Sequence, residues 1–420
     1  MTDAQQYIHS RTHLGSRLGL GRISLLLERL GAPHRKLRFV HVAGTNGKGS
    51  TTTFIANILT AAGYRTGRYI SPYVLEFNER ISVDGVNISD EELQEVIDEI
   101  RPVVDAMEDD VTEFELITAA ALCYYVKKAC DVVVLEVGLG GRFDATNVIP
   151  APECCVLTKI SYDHMQYLGN TLPEIAFEKC GIIKEGSAVI SYPFQFDGAA
   201  EVIDRICKEK QVPLKLPNLD YLEIIKSDID GSMIDYRGRA MTVPLAGRHQ
   251  IYNAVTAMAA VEYLATERDF TVSLSHIAQG LKNTFFPARL EILQREPLVI
   301  LDAAHNEDGM RTLCAALESY VDQRPVVALF GVFADKDYTK ELELLAPRVN
   351  RFITLTPHDP RGLSGRELAR LCEKTGKPTV YCEDYEQGYA LALEQAGKGG
   401  CVAICGCMHM ASDLRGMILK

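Results

Sequence analysis

The sequence predicts an α/β protein of two domains: a mostly parallel sheet with an antiparallel annex, followed by a smaller α/β unit. Three observations carry this. Apolar runs such as VVVLEV at 132–137 are continuous rather than alternating, which marks strands covered on both faces, as parallel sheets are. Helical patterns separate those runs from Phe39 onward. After Pro297 the same strand–helix rhythm starts afresh.

In order, strands are expected at Phe39–Ala43, Arg68–Ser71, Asp131–Val137, Cys154–Ile160 and Ala188–Tyr192, with helices at Ser89–Met107 and Phe114–Lys128. Between Tyr221 and Val243 the pattern turns to short polar-alternating strands with a turn at Asp230-Gly231, an antiparallel annex. Helices follow at His249–Thr266 and Ser273–Asn283. Two prolines then flank ARLEILQRE, so a linker is expected between Phe286 and Pro297, dividing the chain into 1–290 and 297–420. LVILDAA, VVALFGV, RFITLT, PTVYC and CVAICG supply the strands of the second, Rossmann-like domain.

A chain of 420 residues, 47% hydrophobic, has ample material for two cores. No apolar run reaches the roughly 18 residues that span a bilayer. The start, MTDAQQYIHSR, has neither a secretion signal's apolar stretch nor a transit peptide's character. With twelve cysteines and no such signal, a reducing, cytoplasmic location is expected. A net charge of −12 argues against nucleic-acid or anionic-membrane partners.

The most informative stretch is FVHVAGTNGKGSTTT at 39–53: a strand, a glycine-rich turn and the first turn of a helix. A helix start offers free N–H groups and the positive end of a dipole, which suit a triphosphate. Lys48 adds charge, and Ser50 or Thr51 offers a hydroxyl for magnesium. The loop is a P-loop of a variant kind, since Val42 stands where the first glycine of G-x-x-x-x-G-K-[ST] belongs and Gly49 follows the lysine.

Other residues fall at strand ends, where ligands of such sheets bind. Glu136 ends VVVLEV, where a carboxylate is costly unless it holds a metal or pairs with a neighbouring Lys or Arg. Asp163 and His164 follow the next strand; the histidine is either a ligand contact or structural. Glu178 and Lys179, in IAFEKCGIIKEG, read as a solvated charge pair. Asp302 precedes His305 and Asn306, and either caps the coming helix or meets nucleotide. Cys401, Cys405, Cys407 and His409 lack metal-site spacing and read as buried thiols beside a histidine.

Taken together, GLGRISLLLERLG, HVAGTNGKGS, SPYVLEFNERI, FELIT, LEVGLGGRFDATN, DHMQYLGNTLPEIAFEKCGIIK, GRHQIYNA, PARLE, LDAAHN and DKDY resemble, in order, the folylpolyglutamate synthase/dihydrofolate synthase family of the Mur-ligase superfamily. The resemblance implies an ATP-binding domain over 1–290 and a glutamate-ligase domain over 297–420. It implies that Gly44, Thr45, Asn46, Gly47, Lys48, Gly49 and Ser50 hold the triphosphate of ATP, joined by Asn253, Arg289, Asp302 and His305. Ser50, Ser71, Glu136, His164 and Lys179 match the positions that hold magnesium (Mg2+), with Lys179 as a carbamate, and Lys48, Lys179 and His164 would be the catalytic set. Thr112, Glu113, Phe114, Glu115, Phe143, Asp144 and Ala145 match the pteroate-binding region. The chain departs from the family pattern at Tyr73 (for His), Ala288 (for Gly), Ala303 (for Gly) and Glu307 (for Pro).

The implied reaction joins L-glutamate to a folate or dihydropteroate carboxylate through an acyl phosphate, in a monomer. Two alternatives stand beside it: a Mur-type ligase of cell-wall precursors, and a non-ligase P-loop NTPase. The second lacks the N-K-x-D base-reading motif, and Gly49 interrupts its usual Lys-Ser/Thr pair.

Overall fold

A computed structural model of the chain describes residues 2–15, 17–321 and 323–419. The described residues form three sheets. The first contains β1 (Phe39–Ala43), β2 (Thr66–Tyr69), β3 (Ile81–Val83), β4 (Val86–Asn87), β5 (Val132–Glu136), β6 (Cys154–Leu157), β7 (Val189–Ser191) and β8 (Leu214–Lys215). Their spatial order is β4-β3-β2-β5-β1-β6-β7-β8. The strands from β2 to β8 in that order are parallel, and β3 and β4 close one edge antiparallel. Both β1 and β5 are buried over their whole length, β1 with a histidine, His41, at its centre.

The order of this sheet is what builds a site. β1 lies between β5 and β6, and the chain leaves it toward β2 on one side and later fills β6, β7 and β8 on the other. Strand order therefore reverses at β1, where the loops following neighbouring parallel strands diverge and leave room for a ligand. The loops after β5, β1 and β6 are GLGGRFDATN, GTNGKGS and TKISYDH. Helices begin where the sequence supplies caps: Ser89, Thr112 and Thr171 each bond the helix three residues on and are bonded back by Glu92, Glu115 and Glu174.

The annex is a three-stranded sheet of β9 (Leu222–Asp228), β10 (Gly231–Tyr236) and β11 (Arg239–Val243) in the order β11-β10-β9. Two-residue connections make its neighbours antiparallel. The third sheet has the order β12 (Glu291–Arg295), β13 (Leu298–Leu301), β17 (Cys401–Cys405), β14 (Val326–Phe330), β15 (Arg351–Thr354) and β16 (Thr379–Tyr381). All its pairs are parallel except β12 with β13.

The segment expected to be a linker is thus an edge strand. Its alternation is obscured because Glu291 points inward to an ion pair and a register shift falls between Ile292 and Gln294.

The chain divides into two compact units. One holds the residues to Glu223 with Asp235–Thr242 and Gln250–Thr284; the other holds Ile224–Ile234, Val243–His249 and the chain from Phe285. In the first, Phe39, Tyr69, Ile97, Leu116 and Tyr125 belong to one core and Leu157, Ile175 and Ile203 to another. In the second, Leu313, Phe330, Phe352 and Leu368 are core residues. Among the described residues no helix is long and apolar enough to cross a membrane.

Within the second unit Arg415 grips Glu291 through Nε at 2.9 Å and Nη2 at 2.7 Å, both side chains largely buried. The other hydrogen bond of Glu291 is accepted from the Ala288 N–H at 2.9 Å. Replacing Arg415 by Met strands that carboxylate, and denaturant unfolding of the variant is expected to show a loss of about 3 kcal/mol.

Candidate active site

The phosphate loop is built by β1 and by the residues after β6. The Thr45 N–H donates to the Lys159 carbonyl at 2.9 Å, and the Thr45 hydroxyl donates to the Ser161 carbonyl at 3.0 Å. Gly44, at φ +150°, leaves no room for a side chain, since a Cβ would stand 1.9 Å from the Thr158 hydroxyl. Gly47, at φ +86°, fits against Asn253, whose Oδ1 would lie 2.5 Å from an added Cβ. Asn253 is itself buried and fixed by Gln250 at 3.0 Å. The helix Lys48–Ala61 then starts from Gly47 with no capping side chain, and such a start can offer its first N–H groups to an anion.

The side chains around this loop have unusual environments. Lys48 Nζ donates to the Thr45 carbonyl at 3.1 Å, folding its charge over the loop. The hydroxyls of Ser50, Thr51 and Thr52 are buried and bonded to no protein group. Buried polar groups are nearly always satisfied, so this row points to partners supplied by a ligand or cation. Glu136, 4% exposed, stands beside Val42 at the end of β5, and its charge acts on the buried Arg68 guanidinium. Ser71 lies just past β2 and is half-buried. His164 is exposed, takes φ +49° at the start of a short helix, and has Nε2 at 3.9 Å from Asp163.

Lys179 occupies the last turn of the helix Leu172–Cys180 and is buried. Its Nζ donates to the carbonyl of Gly44 at 2.9 Å. Burial, reinforced by the charge of Lys48, pulls its pKa down from 10.5 to about 7. The solvated Glu178–Lys179 pair expected from sequence does not exist. Adjacent helix residues face different directions, and Glu178 instead binds Arg142 at 2.6 Å.

The residues expected from resemblance to bind pteroate divide into two groups. Thr112 and Glu115 form the capping box of the helix Glu113–Lys127, and Glu115, 3% exposed, pairs with Arg22 at 3.1 Å. Asp144 is buried and accepts the Leu139 and Thr146 N–H groups at 2.8 and 3.0 Å; Ala145 is buried beside it. The Phe114 ring packs where a side chain on Gly138 would lie. Phe143 is exposed under the Arg142 guanidinium, 4.4 Å from its ring centre, and Glu113 lies 3.3 Å from His9. Tyr73, at the family's histidine position, packs against Phe77 beneath Arg80.

In the second unit Asp302 joins two loops, accepting the Leu290 N–H at 2.9 Å and the Ala304 N–H at 2.8 Å. It does not cap the following helix; Asn306 does. Burial raises the Asp302 pKa, while the charge of Arg289 opposes the rise. Arg289 sits between Ala288 and Leu290, both in the left-handed region at φ +52° and +49°. His305 holds the Ala303 carbonyl through Nδ1 at 2.8 Å. Cys401, Cys405 and Cys407 are buried, and among the described residues no three His, Cys, Asp or Glu side chains converge to cage a metal.

Sequence reasoning missed Thr158 and Ser161, which shape the phosphate loop, and His41 and Thr146 beneath the GLGGR loop. The available signal was small hydroxyl residues flanking a buried strand.

The Mur ligase middle domain family matches residues 42–261, and the Mur ligase glutamate ligase domain family matches 288–408. The dihydrofolate synthase/folylpolyglutamate synthase of Bacillus subtilis is 36% identical, over 98% of each chain. This chain belongs to that family. It is an ATP-dependent ligase. The folylpolyglutamate synthase of Lacticaseibacillus casei is 34% identical over 100% of this chain and 98% of its own. Among solved structures, Mycobacterium tuberculosis folylpolyglutamate synthase complexed with ADP and AMPPCP superposes with a TM-score of 0.90 at 30% identity, covering 100% of this chain and 99% of that one. E. coli FolC in complex with DHPP and ADP superposes with a TM-score of 0.88 at 28% identity, covering 99% and 98%.

Ala288 stands where the family pattern has glycine, and a left-handed φ penalises any Cβ. Ala288→Gly is expected to raise stability by up to about 1 kcal/mol, read from the denaturation midpoint.

Proposed function

We propose that this ligase joins L-glutamate to the carboxylate of folate-type acceptors, taking both dihydropteroate and tetrahydrofolate, and that a single copy carries every residue the reaction needs. The observation that carries the reading is the buried Lys179 amine bonded to the first glycine of the phosphate loop. A nucleotide switch has no use for a lysine held near neutrality there. A ligase does, because an amine that sheds its proton there can become a carboxylate that would hold magnesium, the charge needed between a triphosphate and an attacking carboxylate that repel each other.

The residues fit magnesium. The orphaned Ser50 hydroxyl and the buried Glu136 carboxylate are hard oxygen donors at strand and helix ends, and Ser71 and His164 complete the set that would hold it. Bound there, the ion would neutralise phosphate charge. Lys179 fits carbamylation: above pH 7 its amine is largely neutral, and the nitrogen lone pair can add to CO2, losing a proton to give a carboxylate. That exchange replaces a cation by an anion where a metal needs ligands.

In this reading the helix N-terminus and Lys48 hold the triphosphate while an acceptor carboxylate oxygen attacks the γ-phosphorus, displacing ADP and forming an acyl phosphate. Asn253, Arg289, Asp302 and His305 serve as nucleotide contacts. The α-amine of glutamate attacks the acyl carbon, phosphate leaves, the amine gives up a proton, and an amide remains. Neither histidine is required as a nucleophile, since ATP performs the activation. Glu113, Phe114 and Phe143 are the acceptor contacts; Thr112, Glu115, Asp144 and Ala145 shape that region from within.

ADP release is measured with ATP, magnesium and L-glutamate plus either acceptor. Turnover with both is the expected result, turnover with tetrahydrofolate alone limits the enzyme to tail extension, and turnover with neither contradicts the assignment. Lys179→Met should lower kcat about 100-fold or more. At fixed dissolved CO2 wild-type activity should rise as pH passes through about 7, because the amine loses its proton there.

A further inference from the structure

A buried hydrogen-bond chain runs from the middle of β1 to the loop after β5. His41 is fully buried, and its Nε2 lies 2.9 Å from the Thr146 hydroxyl oxygen. That hydroxyl donates to Asp144 Oδ1 at 2.5 Å. A carboxylate only accepts, so the single hydroxyl proton points to Asp144, and His41 must donate from Nε2. Burial pulls its pKa down to about 3, so the imidazole is neutral and carries its proton on Nε2. Asp144 uses its other oxygen on the Leu139 N–H at 2.8 Å, inside the GLGGR loop.

That loop in turn abuts the helix end that carries Lys179. The Arg142 N–H donates to the Glu178 carbonyl at 2.9 Å, and a Cβ on Gly141 would stand 2.7 Å from the Lys179 carbonyl. Asn147 ties the loop to the Gly181 carbonyl at 3.1 Å, and Lys184 holds the Asn147 carbonyl at 2.8 Å. In this chain of bonds the loop's tail meets β1 at His41.

We propose that His41 is a positioning residue for the ligase reaction: through Thr146 and Asp144 it sets the GLGGR loop against the Lys179 helix, and so aligns Glu136 and Lys179 on the phosphate loop. The inference rests on the ligase reading above. Misplacement of such groups lowers turnover without weakening nucleotide binding, which is made by a loop His41 does not bond.

The test compares His41→Leu, His41→Gln, Thr146→Val, Thr146→Ser and the double variant His41→Leu/Thr146→Val. Steady-state kinetics, thermal unfolding and amide hydrogen exchange over 138–147 are read on each. His41→Leu should cut kcat about 10-fold with the KM for ATP changed less than about 3-fold, and should speed exchange at Leu139. His41→Gln, which keeps a donor at similar reach, should restore most of the loss. The double variant should be no worse than the worse single one, because both break one chain. Unchanged kcat in a folded His41→Leu, or losses that multiply in the double variant, would overturn the proposal. If His41→Leu does not fold, Thr146→Val against Thr146→Ser decides in its place. Wild-type protein without turnover would overturn the ligase reading, whereas unaltered loop exchange in a folded, active His41→Leu would overturn the network itself.

Discussion

The bond from Lys179 Nζ to the Gly44 carbonyl is the constraint on which the rest of the first unit's site depends. It places a basic nitrogen in a dry position, against the GTNGKGS turn and close to a second lysine. An ammonium there is opposed by burial and by Lys48, so the group is held near neutrality rather than as a fixed charge. A lysine that can shed its proton near physiological pH is a chemical resource; one on the surface is only a charge.

That position exists because of strand order. With β1 between β5 and β6, the phosphate loop has Glu136 and the GLGGR loop on one side and the Thr158–Ser161 segment on the other. Each neighbour contributes a different property: the β6 side fixes the loop's shape through Thr45, and the β5 side brings the carboxylate and the rest against which the Lys179 helix packs. The hydroxyls of Ser50, Thr51 and Thr52, at the start of the helix that follows the loop, are buried and left unsatisfied by protein groups. Polar atoms kept unsatisfied inside a fold cost stability, and active sites are where such costs are retained.

Much of this was legible in the sequence because it is local chemistry. GTNGKGS announces a strand, turn and helix whatever surrounds it, and VVVLEV announces a buried parallel strand. What stayed hidden depended on contacts distant along the chain. Lys179 next to Glu178 looks like a surface pair until the helix end is known to sit 135 residues away from its true partner, Gly44. Asp302 before a helix looks like a cap, yet the loop geometry gives that place to Asn306. Thr112-x-x-Glu115 carries a capping-box signature, and the structure closes that box at the start of the helix Glu113–Lys127. The ARLEILQRE segment reads as a linker because its inward glutamate takes its charged partner, Arg415, from over a hundred residues later.

Everything at this site turns on Lys179 losing its proton near pH 7 in the folded protein. The most direct measurement is an NMR titration of the lysine side-chain nitrogens in 15N-lysine-labelled protein, with Lys179→Met used to assign the resonance. A midpoint near 7 for that nitrogen is the predicted result. A midpoint near 10, with the other lysines, would contradict the account, since a fixed ammonium at that position could neither take up CO2 nor serve a metal.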